Sequence, residues 1–310
     1  MGTASAPQVS IIIPSYVSTA RQAELLDETL HTVDRQAFDG FEVIVVDDGS
    51  PLPVHRIVAR HPAATAIRRK NGGSALARNT GIAASRGAML VFLDGDDHLL
   101  PGALASGVRQ LEAHPECGFV VGGREEMTFE GGPVPWGVAE PPQISNLYHT
   151  LLAFDWYIIP PSSCMFRREV VEAVEGFRDP WGADDLDFYL RVAHRYPAFC
   201  YATPAVTRYR RYSASSSRDG ERMLRSIRTV YARQQPIVQG DAAGEAAYAR
   251  GLARLTGIFQ DCLVENLVDR VRANEWRRAV RSARLLLAES PERIGTAVSR
   301  LLRPPAPAPS

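Results

Sequence analysis

Short apolar runs that end abruptly on acidic residues constrain this chain more than any other feature. Val9-Ser10-Ile11-Ile12-Ile13 stops at Pro14, Val43-Ile44-Val45-Val46 runs into Asp47-Asp48-Gly49-Ser50, and Met89-Leu90-Val91-Phe92-Leu93 runs into Asp94-Gly95-Asp96-Asp97. Runs this short and β-branched, without polar alternation, predict strands buried on both faces. Between them, Leu25, Leu26, Leu30 and Val33 recur at helical spacing over residues 21–35, and Asn71-Gly72-Gly73-Ser74 is a turn opening a helix over 75–85. Strands alternating with helices imply an α/β fold with a mostly parallel central sheet, helices on its faces and right-handed crossovers. Ligands bind such sheets beyond the carboxyl ends of the strands. Here those ends carry the aspartate pairs.

The remaining pattern predicts a short helix over 54–60, a third strand at Thr65-Ala66-Ile67, a helix over 103–114 and a strand from Gly118 to Gly122. Residues 131–142 turn to Gly, Pro and one Trp, an irregular loop suited to a mobile lid. Helices follow over 168–175 and 184–194. After about residue 220 come arginine-rich helices, with Trp276, Ala279, Val280, Ala283, Leu286 and Leu287 on one face. The expected organisation is a catalytic domain over 1–218, a helical C-terminal extension over 219–303 and a disordered tail over 304–310.

The formal net charge of zero argues against nucleic acid as a partner. Cys117, Cys164, Cys200 and Cys262 are scattered, which speaks against a zinc framework or disulfides and suits a reducing cytoplasm. Met1 to Gln8 lacks the basic-then-apolar order of a secretory signal, and no apolar run approaches membrane-spanning length. A cytoplasmic protein is expected. The C-terminal helices suit either a homodimer contact or peripheral docking at the inner membrane face.

Two carboxylates spaced as Asp94 and Asp96 at a strand end can share a hard divalent cation, Mn2+ or Mg2+, or hold a ribose beside it. A solvated acidic turn is the plain alternative. The switch from five apolar residues to three acids favours a counter-ion. Asp48 can accept the ring N–H of uracil, thymine or guanine, or simply cap a turn. Arg78 and Asn79, just inside a helix after the glycine turn, can neutralise acids or a diphosphate, or form a surface ion pair. In Trp181-Gly182-Ala183-Asp184-Asp185 the acids can cap a helix or supply a catalytic base, and Trp181 can stack on a sugar or pack in the core.

Taken in order, Val9 to Tyr16, Val45 to Ser50, Asn71-Gly72 with Ala77 to Ile82, and Phe92 to Asp97 resemble the successive motifs of family 2 glycosyltransferases. Phe166-Arg167-Arg168-Glu169, Gly176-Phe177 and Asp184-Asp185 are similar to that family's later motifs, so the resemblance spans roughly residues 9–217. It implies a GT-A (Rossmann-like) fold and an inverting transfer of a sugar from a nucleoside-diphosphate sugar. It also implies that Pro14, Tyr16 and Asp48 line the nucleoside pocket, that Asp94 lies near ribose or metal, that Asp96 ligates the metal, and that Asp185 deprotonates the acceptor. On this expectation Asp184 and Trp181 would lie beside the acceptor, and Arg78 and Arg210 would help hold the diphosphate.

Val17 follows Tyr16 where members usually have Asn, and Asp184 replaces a usual Glu. Tyr212 stands where the family's His helps hold metal or diphosphate, and Tyr is a poorer ligand for the metal. UDP is the donor nucleotide the family implies, and Asp48 would not separate it from dTDP. The acceptor would be a glycan, a glycolipid or a small metabolite.

Two rivals are weaker. A haloacid-dehalogenase-type phosphatase also places Asp-x-Asp after a strand, but needs a lysine between its acidic motifs, and Lys70 precedes both. A non-catalytic GT-A-like scaffold has no use for the retained carboxylates.

Overall fold

A computed structural model describes residues 6–134, 146–156, 158, 160–178, 182–211 and 218–302. The chain is divided into two compact units. The described residues through 151, 155–178 and 184–211 form the first unit, and 152–154, 182–183 and 218–302 form the second.

The first unit is built on an eight-stranded sheet. Its strands are β1 (Val9–Ser15), β2 (Phe41–Asp47), β3 (Ala64–Arg68), β4 (Met89–Phe92), β5 (His98–Leu99), β6 (Phe119–Met127), β7 (Cys164–Arg167) and β8 (Ala198–Arg210). They lie in the order β3-β2-β1-β4-β7-β6-β8-β5. The β3-β2-β1-β4 half is parallel throughout. Beyond β4 the pairings are antiparallel except for β6 with β8, so four of the seven are parallel and three antiparallel. The parallel half is where the apolar runs predicted it. The antiparallel half rests on β5, β7 and β8, which the hydrophobic pattern does not announce.

Ile11, Ile12 and Ile13 are fully buried, and each contributes about 2 kcal/mol by leaving water. Helix α1 (Ala20–Asp34) starts at Thr19 with a reciprocal cap: Thr19 Oγ1 accepts the Gln22 N–H at 3.2 Å, and Gln22 Oε1 accepts the Thr19 N–H at 3.2 Å. After α2 (Val54–Val58) comes α3 (Ser74–Ala84), which approaches β1 closely. A Cβ on Gly81 would lie 2.3 Å from Ile12 Cγ2, so this helix sits so close to the sheet only because Gly81 has no side chain. Helices α4 (Ala103–Ala113), α5 (Leu147–Leu152), α6 (Arg168–Ala173) and α7 (Asp184–Arg195) follow.

The second unit is helical: α8 (Gly220–Val238), α9 (Ala242–Arg272), α10 (Trp276–Glu289) and α11 (Ile294–Leu302). Helices α8 and α9 touch backbone to backbone at Gly220, where a Cβ would lie 2.5 Å from the Leu263 nitrogen. The apolar face expected on α10 is displaced. Ala279, Ser282 and Leu286 are buried, while Trp276, Val280 and Leu287 are exposed, because the side of α10 that packs within the unit is rotated away from its most apolar stripe. The tail expected over 304–310 lies outside the described residues, as does 135–142 of the expected lid loop. Among the described residues no helix is long and apolar enough to cross a membrane.

Candidate active site

Motifs far apart in the chain meet at one arginine. Arg78, in the second turn of α3, donates Nη1 to Asp184 Oδ2 at 2.6 Å and Nη2 to Asp94 Oδ1 at 2.8 Å. Ser74 Oγ, one helical turn earlier, donates to the same Asp184 oxygen at 3.1 Å. The Arg78 guanidinium also sits 5.1 Å from the centre of the Phe177 ring. Burial opposes its charge, but Asp94, Asp184 and Asp185 overcome that cost and hold it above its ordinary value. The acidic turn after β4 and the acidic start of α7 are thus joined through a buried cation. A surface ion pair, the plain alternative for Arg78, is excluded, since the residue is only 5% exposed.

Asp185 is oriented differently from its neighbour. Asp184 is buried and turned onto Arg78 and Ser74, whereas Asp185 is half-buried and accepts from the Leu186 N–H at 2.7 Å. Desolvation, then the charge of Asp184, pushes the Asp185 carboxyl up to about 6. That value suits a group that must take a proton near neutrality.

Asn79, next to Arg78, closes another long-range connection. Its side chain donates to the Phe177 carbonyl at 2.7 Å and accepts the Phe177 N–H at 2.8 Å. Arg191 on α7 adds a bond from Nη2 to the Gly176 carbonyl at 2.7 Å and an ion pair with the fully buried Asp187 at 2.8 Å. Together they tie Gly176 and Phe177 to both α3 and α7.

The other edge of the site is a loop cradle at the ends of β1 and β2. The Asp48 N–H donates to the Ser15 carbonyl at 2.8 Å. The Asp48 carboxylate accepts the Gly73 N–H at 2.7 Å and the Gly72 N–H at 3.1 Å, and is paired with Arg69. Gly73 adopts a φ of 92°, which a side chain would disfavour. Tyr16 stands 49% exposed at the end of β1, available to stack on a flat ring. Gly95 brings the acidic turn beside this edge, its Cβ position lying 3.8 Å from the Pro14 carbonyl.

Arg210 has a different place from the diphosphate contact expected of it. It is 2% exposed, and its guanidinium bonds to the Asp96 carbonyl (2.9 Å), the Phe129 carbonyl (2.6 Å), Glu28 Oε2 (2.9 Å) and His98 Nε2 (3.2 Å). Its backbone N–H donates to Asp97 Oδ1 at 2.9 Å. Arg210 therefore buttresses the acidic turn from within the fold. Thr29 on α1 adds a bond to the Asp97 carbonyl at 2.8 Å. Asp97 is fully buried and its Oδ2 has no hydrogen-bond partner among the described residues. Burial, with Asp96 and Asp94 beside it, raises its carboxyl well above the usual range.

Pro14, Tyr16, Asp48, Arg78, Asp94, Asp96, Asp184 and Asp185 all lie in the first unit, at the strand ends or on the helices that reach them. Trp181 and Tyr212 lie outside the described residues. Sequence reasoning missed Ser74, Arg69 and Glu28. No local signal separates them from ordinary polar residues of a turn, an arginine run and an exposed helix face.

Parallel strands whose carboxyl ends gather carboxylates around one arginine, continued by an antiparallel half-sheet, define a class: the glycosyltransferases of GT-A architecture. The chain belongs to glycosyl transferase family 2, whose sequence profile matches residues 10–175. It is 29% identical over 195 residues to the uncharacterized glycosyltransferase YwdF of Bacillus subtilis, covering 61% of this chain and 69% of that one. It is 36% identical over 137 residues to glycosyltransferase AglE of Haloferax volcanii, covering 42% and 43%. Several curated relatives are matched over half their length or less, as with B. subtilis EpsJ at 49%. Among solved structures, S. aureus TarS in complex with UDP-GlcNAc superposes with a TM-score of 0.66 at 17% identity, over 95% of this chain and 88% of that one. The mannosyltransferase PcManGT of Pyrobaculum calidifontis, in complex with GDP-Man and Mn2+, gives 0.56 at 22% identity, over 96% and 85%. At these identities the likeness is one of fold. The protein is a glycosyltransferase.

Proposed function

We propose that this glycosyltransferase moves a sugar from a UDP-sugar to an acceptor hydroxyl with inversion, and that Asp185 is its base. The observation that carries the reading is the pairing of Arg78 with both Asp94 and Asp184, which holds the metal-type turn and the base-bearing helix in one site.

Asp94 and Asp96 fit a hard divalent cation. They are oxygen donors two residues apart on one turn, and the turn concentrates enough negative charge to help keep the buried Asp97 well above its ordinary range. Mn2+ or Mg2+ bound there would offset negative charge on the departing nucleoside diphosphate. The chain's own groups do the rest. Tyr16 and Pro14 face the nucleoside, and Asp48 shapes that end by holding the Gly72–Gly73 loop. Arg78 and Arg210 act as positioning residues, the first between the acids and the second behind the turn.

The acceptor oxygen attacks the anomeric carbon from the face opposite the diphosphate. The C1–O bond to the diphosphate breaks, its electron pair leaves with UDP, and the acceptor proton passes to Asp185. Half-burial and a carboxyl near 6 leave Asp185 ionised at neutral pH yet basic enough to accept that proton. Asp184, adjacent and engaged by Arg78, lines the acceptor side through its position.

UDP is the nucleotide carried over from the TarS complex, with dTDP, and GDP as in the PcManGT complex, as the competitors in a binding screen. The apolar stripe of Trp276, Val280 and Leu287 supports a surface contact by the C-terminal helices. Sedimentation of the protein alone, and its flotation with liposomes, tell a second copy from an inner membrane face. The test of the reaction is Asp185→Asn: UDP still binds with Mn2+, and sugar transfer is lost.

A further inference from the structure

We propose that Asp27, His31 and His61 form a zinc site on the α1 side of the sheet, separate from the Asp94–Asp96 turn. One ligand atom from each of the three residues lies within 4.8 Å of the other two. Asp27 and His31 are four apart on α1 and so share a face. His61 lies in the tight turn between α2 and β3, closed by its N–H donating to the Val58 carbonyl at 2.9 Å.

The geometry is close to a metal's needs before any ion is added. His61 Nε2 lies 3.0 Å from Asp27 Oδ1. Tetrahedral zinc with ligand bonds of 2.0–2.1 Å separates its ligands by about 3.3 Å, so this pair has to open only slightly. His61 is 2% exposed, and its other nitrogen, Nδ1, is 2.6 Å from Asp34 Oδ2. A carboxylate on Nδ1 of a buried imidazole fixes the ring's orientation, and Nε2, which faces Asp27 Oδ1, is the nitrogen that an ion entering between them would meet. The His31 ring stands edge-on to His61, with centroids 4.9 Å apart, and its Nδ1 lies 2.9 Å from the Asp27 carbonyl. That nitrogen is also 3.9 Å from Asp27 Oδ1, so it is the ligand atom once its contact with the carbonyl gives way to the ion.

The donor set of two imidazoles and one carboxylate suits zinc better than magnesium, and leaves a fourth position for water. Arg60 Nη2, 2.8 Å from Asp27 Oδ1, is the resident cation, and its side chain is 58% exposed, so it can swing into solvent when the ion enters. The site would clamp α1 to the turn before β3. Helix α1 is the same helix whose Thr29 and Glu28 support the acidic turn and Arg210.

The test is calorimetric titration of the EDTA-stripped full chain with zinc chloride, in excess magnesium to fill the oxygen-ligand site. The wild type should bind one zinc that Asp96→Ala retains and His31→Ala loses. Asp34→Asn should weaken it by about 10- to 100-fold. Because His31 is exposed, its replacement leaves the fold intact. Cobalt titrated in place of zinc should give the strong visible absorption of four-coordinate cobalt. A His31→Ala protein that titrates like the wild type, or a cobalt spectrum of six-coordinate type alone, overturns the proposal. Neither result touches the assignment of Asp185 or Asp96.

Discussion

Nη2 of Arg78 lies 2.8 Å from Oδ1 of Asp94, and this contact ties helix α3 to the acidic turn after β4. With Nη1 on Asp184, the same guanidinium neutralises carboxylates that would otherwise repel one another in a poorly solvated site.

Arg78→Ala should therefore destabilise the protein by about 3 kcal/mol, the scale expected when one partner of a buried ion pair is removed. Urea denaturation measures it. Arg78→Lys should recover only part, because a single ammonium cannot bridge Asp94 and Asp184 as a fork does.

Asp185 makes activity depend on pH. A base whose carboxyl is raised to about 6 is protonated below that pH and idle, so kcat/KM should fall as pH drops through about 6. The sign for stability is opposite. A folded-state value above the unfolded one gives a contribution that is present below the ordinary carboxylate range and is lost as pH rises through about 6. Asp185→Asn should thus be inactive yet at least as stable as the wild type at pH 7. A pH–rate profile with a parallel thermal-melting series checks both.

Asp96→Ala should weaken UDP binding in the presence of Mn2+ while leaving the weak metal-free binding unchanged. Calorimetry with and without Mn2+ reads the difference. Equal affinity in both proteins with Mn2+ would remove Asp96 from the metal site.

Gly81→Ala should cost about 1–3 kcal/mol, since the new methyl would overlap Ile12 in a fully packed strand. Its thermal melt should shift down with the wild-type KM for donor retained in the folded fraction.

The sequence announces β1, β2 and β4 because strands buried on both faces leave uninterrupted β-branched runs. It hides β7 and β8. Cys164–Arg167 is four residues long behind two prolines, and Ala198–Arg210 mixes Pro204 with arginines and half-exposed positions. The same contrast holds in the site. Asp94, Asp96 and Asp185 stand out as acids at strand or helix ends. Which arginine serves them does not, because only the fold shows that Arg78 reaches two acids and that Arg210 is buried behind the turn. Likewise, α10 carries an apolar stripe legible as a packing face, yet its neighbours in the second unit cover Ala279 and Leu286 and leave Trp276 out.

Everything proposed for the reaction turns on Asp185 taking the acceptor's proton in a UDP-sugar-dependent transfer. The decisive assay is UDP release by wild type and Asp185→Asn across a panel of UDP-sugars and acceptors with Mn2+, alongside UDP affinity for both proteins. The wild type should release UDP, both proteins should bind UDP equally, and Asp185→Asn should be slower by about 100-fold or more. Turnover at the wild-type rate in Asp185→Asn would refute the assignment.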